Sequence, residues 1–272
     1  MTTRRSRPAE LLAAWRGIFR SALHALARPV AFFGAVILAV LRGLPARWRF
    51  RPQDFSRVLA DCSARALPIV AVVNVLVGAI LAFVGAVQLV KFGAGIFVAD
   101  LVAIAVSREM AAVITAVVMC GRTGAAFAAE LATMQANEEI DALEVLGLPA
   151  MDHLVVPRVL ALLVMLPLLY VFGCVAGLLG GFAVGASMLQ LAPAAYFERS
   201  VEALDFDHLG LGFTKAIVFG LLVAIAGCYY GLHAERNATG VGDATTRAVV
   251  TGIVGVITLD AVFAVCANAL GV

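Results

Sequence analysis

The chain has 272 residues, of which 62% are hydrophobic and 14% charged, and its formal net charge is +2. Soluble globular proteins carry about 25% charged residues, so this composition excludes that class and indicates a protein embedded in a lipid bilayer. Of the 20 Lys and Arg residues, 12 lie at or before Arg65. Because basic residues concentrate in cytoplasmic segments, we expect the N-terminal end to stay in the cytoplasm.

Residues 1–57 are predicted to form a cytoplasmic and interfacial region. The basic start is followed by a mixed stretch that still carries Glu10 and Arg16, which is atypical of a secretion signal, so no cleavage is expected. An apolar stretch, residues 29–41, is bounded by arginines and reaches only about 20 Å as a helix. That length is too short to span a bilayer, and we predict a helix on the membrane surface.

The rest of the chain, residues 58–272, contains apolar runs long enough to cross a membrane. A spanning helix needs about 20 mostly apolar residues. Five segments meet this requirement, and the fold predicted is an all-α integral membrane protein with these spans: residues 66–90, 96–129, 154–189, 209–232 and 248–270. With the N-terminus in the cytoplasm, the loops 130–153 and 233–247 are cytoplasmic, the loop 190–208 is external and the C-terminus faces outward.

Leu76, Ile80 and Phe83 recur at helical spacing in the first span, and with the polar Asn74 they are candidates to line a central cavity. Asn74 is also placed to pair across a dimer axis. An apolar stripe of this kind is equally typical of ordinary lipid-facing or packed surface.

Arg108 and Glu109 interrupt the second span near its middle, where an uncompensated charge costs at least about 2.5–3.5 kcal/mol. Two interpretations stay open. In the first, they form ion pairs, with each other or with groups on other helices, that lock helix packing. In the second, they line a cavity, where Arg108 would be able to bind an anionic group such as a phosphate. For Asp260 in the last span a structural hydrogen bond is favoured. Asp100 and Lys215 are expected to reach the membrane interface by snorkelling and are assigned no chemistry.

The third span carries glycines at every fourth position, which leaves one helix face free of side chains. Backbones can approach closely along such a face. Packing within one subunit is the favoured role, and a homodimer contact is the alternative. The glycines are Gly173, Gly177, Gly181 and Gly185.

The polar stretch NEEIDALEVLGLP, residues 137–149, is predicted to form a short amphipathic helix. Asn137 is the expected N-cap, early acidic residues favour the positive helix end, and Gly147 with Pro149 is typical of a C-terminal stop. A simple surface connector is the alternative. The residues assigned to its contact surface are Glu138, Glu139, Ile140, Asp141, Leu143, Glu144 and Leu146.

Several separated motifs resemble the MlaE family of ABC permeases, over roughly residues 55–270. They are Arg108-Glu109, GRTGAAFAAELATM (121–134), EEIDALEVLGLP, Pro157-Arg158 and GVGDATTRAVV (240–250). The resemblance implies an MlaE-type permease domain and a homodimer in the inner membrane of a Gram-negative bacterium. It further implies two partners, which are two copies of a separate ATPase that binds ATP and Mg²⁺ and a periplasmic MCE-domain ring. The implied activity is movement of phospholipid between the inner and outer membranes, the process that sets outer-membrane lipid asymmetry. The segment 138–146 would be the coupling helix that contacts the ATPase.

The sequence contains no phosphate-binding loop of the Gly-x-x-x-x-Gly-Lys-Ser/Thr type, so nucleotide is expected to bind elsewhere. We expect no catalytic residue, cofactor or metal in this chain. One alternative is a secondary transporter of a hydrophobic substrate driven by an ion gradient through Asp100, Glu109 and Asp260, but no internal repeat supports it. An intramembrane enzyme using Arg108, Glu109, His153 or His233 lacks any nucleophile or metal motif. Transport direction and the lipid headgroup stay open.

Overall fold

The computed structural model describes residues 27–42, 52–188 and 192–271, and these residues contain helices but no strand. The all-α prediction is thereby confirmed. The chain divides into two compact units, Met1–Trp48 and Arg49–Val272. The described part of the first unit is one helix, α1, over residues 27–42. It matches the predicted helix 29–41 in extent, and its position on a membrane surface stays a prediction.

The second unit is a bundle of long helices joined by short connections. Five helical segments are long and apolar enough to cross a membrane, which confirms the predicted number of spans: Phe55–Phe92, Phe97–Ala136, Met151–Met188, Phe206–Leu232 and Ala238–Leu270. The α-helices within it are α2 (Pro52–Ser63), α3 (Leu67–Leu89), α4 (Phe97–Ala105), α5 (Ala111–Met119), α6 (Ala125–Ala136), α7 (Glu139–Val145), α8 (Val156–Met188), α9 (Pro193–Glu202), α10 (Phe206–Leu232) and α11 (Ala238–Leu270).

The second span is a composite helix in which α4, α5 and α6 are joined by two π-helical turns. These turns are Val106–Met110 and Cys120–Gly124, and a third, Met151–Val155, leads into α8. In the first turn the backbone N–H of Ala111 donates to the carbonyl of Val106. A π turn accommodates one extra residue and commonly occurs at functional sites. This turn contains both Arg108 and Glu109, so it sets the direction of the two side chains.

Helices α3 and α8 pack with their backbones in direct contact. A methyl group added at Gly78 would overlap the carbonyl of Gly177, and one added at Gly180 would overlap the carbonyl of Val75. Along the same face of α8, a methyl group added at Gly173 would lie 3.1 Å from the amide nitrogen of Asn74. The glycine ridge of the third span therefore packs within one chain, the role favoured from the sequence.

The connection near residues 190–208, expected to be external, contains helix α9, which was not predicted, and its side of the membrane stays a prediction. Pro193 begins the helix, and Tyr196 is buried against Gly185 of α8. Arg199 of α9 pairs with Asp100 of α4 at 2.9 Å. Hydrogen bonding and charge from Asp100 raise the pKa of the Arg199 guanidinium above its ordinary value. Asp100 therefore links α4 to α9, a contact that the sequence did not predict.

Candidate functional site

Lys215 of α10 lies at the centre of a group of charged side chains inside the bundle. It is 0% exposed, and its Nζ donates to Glu109 and to Asp260 Oδ1, the latter at 2.8 Å. The expectation that Lys215 snorkels to the interface is therefore wrong. Glu109 and Asp260, which lie within other spans, indicated that a buried position was possible for Lys215, because a buried lysine requires carboxylate partners. Their pairing depends on helix neighbours that the sequence does not specify.

The group also includes Arg108, whose Nε lies 3.8 Å from Glu109 Oε1. We call Arg108, Glu109, Lys215 and Asp260 the charge cluster. Its two cations and two carboxylates cancel in formal charge, and it joins the second, fourth and fifth spans. Asp260 accepts a hydrogen bond from Lys215, as its favoured structural role requires. Glu109 binds a cation on another helix, which was one of the pairings left open.

Helix lengths place the charge cluster well inside the spans, at a depth close to half the thickness of a bilayer core. Glu109 is 12 residues from Phe97, Lys215 is nine residues from Phe206, and Asp260 is ten residues from Leu270. At 1.5 Å per residue, these separations are about 18, 14 and 15 Å from the same end of the bundle. Half the hydrocarbon core of a bilayer is about 15 Å. Water is scarce at this depth, so mutual pairing is what allows four charges to remain there.

A buried hydroxyl supports the π turn that carries Arg108 and Glu109. The Tyr170 hydroxyl of α8 donates to the carbonyl of Ser107 at 2.7 Å. A methyl group at Gly212 of α10 would overlap this same carbonyl and the tyrosine ring, so α10 approaches the turn closely. The backbone oxygen is thus satisfied by a neighbouring helix, which fixes the turn beside Lys215.

The residues assigned to a substrate cavity do not all come together. Leu76, Ile80 and Phe83 lie on an exposed face of α3 in the single chain. Asn74 is 2% exposed and donates to Thr115 Oγ1 at 3.3 Å and to a backbone carbonyl of its own helix. It lies on the opposite face, because 100° per residue places positions 74 and 83 about 180° apart. Asn74 is therefore a packing residue of the bundle interior, and its expected pairing across a dimer axis is wrong.

The predicted short helix between the second and third spans is present as α7. Its N-cap is Glu138, in a left-handed conformation with φ of 60°, whereas Asn137 ends α6, so the N-cap assignment to Asn137 is wrong. Gly147, with φ of 74°, provides the expected stop. Ile140 is buried and anchors the helix.

The end of α7 presents two adjacent apolar side chains to the surroundings. Val145 is 88% exposed and Leu146 is 73% exposed. Leu146 was among the predicted contact residues, but Val145 was missed, because the expected apolar face was defined by Ile140 and Leu143. Glu144 directly precedes these two residues, whereas Glu139 lies at the start of α7.

An ion pair ties α7 to the connection between α10 and α11. Arg236 makes two contacts with Asp141, at 2.7 Å and 3.0 Å, in a fork arrangement. The next residue, Asn237, caps α11 by accepting from the backbone N–H of Gly240. Helix α11 then runs unbroken for 33 residues and carries Asp260. A continuous helix therefore connects α7 with the charge cluster.

Comparison with known proteins places the chain in a family. The family model described as Permease MlaE matches residues 55–266. A probable ABC transporter permease protein of Rickettsia typhi is 37% identical over 194 residues, covering 71% of this chain and 75% of the relative. A probable ABC transporter permease protein of Synechocystis is 33% identical over 228 residues, covering 83% and 85%.

A plant relative extends the comparison. The chloroplastic protein TRIGALACTOSYLDIACYLGLYCEROL 1 of Arabidopsis thaliana is 33% identical over 235 residues, covering 84% of this chain and 63% of the relative. The family model spans most of the membrane unit, including the charge cluster, α7 and the Arg236 connection. The chain therefore belongs to the MlaE family of ABC transporter permeases.

Proposed function

We propose that this chain is the permease subunit of an ATP-driven transporter that moves phospholipids between the inner and outer membranes of a bacterium. It works as a homodimer in the inner membrane, with its N-terminus in the cytoplasm and its C-terminus in the periplasm. Two copies of a separate ATPase bind ATP and Mg²⁺, and a periplasmic MCE-domain ring receives or delivers the lipid. Family membership supports the permease role, and the sequence supplies no nucleotide-binding loop of its own.

The observation that carries the proposal is the geometry of α7. A short helix with acidic residues along its length that ends in exposed Val145 and Leu146 suits a groove on a partner protein. Apolar side chains this exposed at the end of a helix bundle are typical of interaction sites. The ion pair to Arg236 and the rigid α11 give a route by which movement of the ATPase reaches mid-membrane.

A lipid substrate is supported by two observations. The Arabidopsis relative is named for a diacylglycerol lipid. In this chain, α3 and α11 expose large apolar side chains along their lengths, including Leu76 and Ile80 on α3 and Val254 and Ile257 on α11. Such faces are compatible with acyl chains in a space between two copies of the permease. The charge cluster beside α11 supplies the polar groups that such a space needs for a lipid headgroup.

The proposal is tested by purifying the complex through a tagged copy of this chain. Co-purification of an ATPase, an MCE-domain protein and stoichiometric phospholipid is expected. Val145→Asp should release the ATPase, whereas Phe206→Asp, an equally exposed position at the opposite end, should retain it. Lipid transport that stops when the proton gradient collapses, yet continues without the ATPase, would establish the ion-driven alternative instead.

A further inference from the structure

A second polar site lies at the α7 end of the bundle, separate from the charge cluster. A cavity of about 1180 Å³ opens between α2, α6 and the start of α8, with Leu143 of α7 on its rim. We call it the arginine pocket, after the four arginines in its lining. Its charged lining residues are Arg57, Asp61, Arg65, Arg122, Glu130 and Arg158.

The charges of the pocket are unbalanced. Four guanidinium groups face two carboxylates, which leaves two positive charges in excess. Each carboxylate is already paired with one arginine, Asp61 with Arg65 at 3.2 Å and Glu130 with Arg158 at 2.9 Å. Within the described part of the chain, Arg122 donates to neutral oxygens, the backbone carbonyl of Asp61 at 3.0 Å and a threonine hydroxyl. The pocket therefore attracts an anion.

Arg158 holds a fixed position in the wall. It is 9% exposed, lies 5.7 Å from the ring centroid of Phe127, and donates to Glu130 and to the carbonyl of Leu154. Its Nε has no acceptor among the residues that the structure describes. A guanidinium has five N–H donors in a rigid fork that matches phosphate oxygens. One N–H on each terminal nitrogen is used, which leaves one on each for a further acceptor, whereas the Nε–H is enclosed by the protein.

The remainder of the lining is largely apolar, and this selects the kind of anion. The apolar residues of the lining include Val58, Phe127, Leu143, Leu148 and Leu154. A free inorganic ion gains nothing from such a surface, whereas an amphiphile with an anionic head uses both parts. Basic pockets between the ends of transmembrane helices bind phospholipid headgroups by this combination.

We propose that the arginine pocket binds the phosphate group of a phospholipid from the leaflet at the α7 end of the bundle, with Arg122 and Arg158 as its phosphate ligands. The inference rests on the proposed lipid function and adds a headgroup site about one leaflet away from the mid-membrane charge cluster. The pocket adjoins α7 through Leu143, and Leu148 of the following connection also lines it. Occupation by lipid therefore places a headgroup beside the helix that is proposed to contact the ATPase.

The test is titration of the purified complex in neutral detergent with dioleoylphosphatidylglycerol, followed by native mass spectrometry and by hydrogen exchange of residues 122–134. Arg122→Gln should weaken binding about tenfold or more, the effect of losing one charge-assisted contact. Arg247→Gln, which removes an exposed charge of α11 outside the pocket, should bind as the parent does. Dioleoylglycerol, which has no phosphate, should give no protection of residues 122–134.

Three outcomes would overturn the inference. Equal phosphatidylglycerol binding by Arg122→Gln and the parent would place the lipid elsewhere. Displacement of the lipid by millimolar inorganic phosphate would indicate a site for a free anion. Loss of the ATPase from Arg122→Gln, with lipid binding intact, would make the pocket a protein-docking surface. In each case the parent complex binds phospholipid when no inorganic phosphate is added, whereas failure of the proposed function itself would appear as a parent complex that binds no phospholipid at all.

Discussion

Replacing Lys215 by Met removes the central cation of the charge cluster and keeps a side chain of similar length. Two carboxylates, Glu109 and Asp260, then lose the buried amine that both accept from. At an effective dielectric constant of about 20, unit charges 2.8 Å apart attract by about 6 kcal/mol before desolvation is subtracted. Breaking a buried pair costs about 3–5 kcal/mol net. Both carboxylates are partly exposed, so we expect the lower value, about 3 kcal/mol.

A loss of about 3 kcal/mol corresponds to a melting temperature lower by roughly 6–12 °C, at about 2–4 °C per kcal/mol for a chain of this size. The measurement is thermal unfolding of the detergent-solubilised protein. The matched variant is Lys215→Met with Asp260→Asn, which leaves Arg108 and Glu109 and restores a formal charge of zero. It should recover at least half of the lost stability, because no carboxylate is left in excess. A double variant that melts no higher than Lys215→Met would refute the electrostatic reasoning.

Further predictions concern the cluster, the glycine contact and the α7 connection. Glu109→Ala, which leaves Lys215 paired with Asp260, should impair lipid transport in reconstituted vesicles while the dimer and the ATPase still co-purify. If the complex instead fails to assemble, the ion pair serves packing alone. Gly78→Ala places a methyl group on a backbone carbonyl and should lower stability by about 3 kcal/mol. Gly242→Ala, which meets open space, should be neutral or stabilising by about 0.5–1 kcal/mol in the same unfolding assay. Arg236→Gln removes a half-exposed ion pair worth at most about 1 kcal/mol, so unfolding should hardly change. Lipid moved per ATP hydrolysed should fall, and an unchanged ratio would show that α7 and α11 are not coupled through this pair.

The five spans could be predicted from the sequence because bilayer thickness fixes the length of an apolar run. The short helix α7 could also be predicted from the sequence, because acidic residues indicate its start and Gly147 indicates its end. The mistaken N-cap has a local cause. Helix α6 continues to Ala136, seven residues beyond the predicted end of the span. Asn137 is therefore the C-cap of α6 and is not available as the N-cap of α7.

The features that were missed depend on which helices are neighbours. The sequence places Lys215 close to a span end, and its carboxylate partners lie 106 and 45 positions away in the chain. Helix α9 was not predicted because it is short and rich in charge, yet its stability comes from Tyr196 against α8 and Arg199 against α4. The π turns leave no mark in the sequence, since each is a small change of backbone register selected by packing.

The formal neutrality of the charge cluster has an electrical consequence. Moving one elementary charge across a membrane potential of 100 mV requires about 2.3 kcal/mol. Arg108, Glu109, Lys215 and Asp260 together carry no net charge, so the helices that bear them are able to shift through the field as a group without electrical work. A shift of the charge cluster as a group is therefore expected to make little contribution to any dependence of transport on membrane potential.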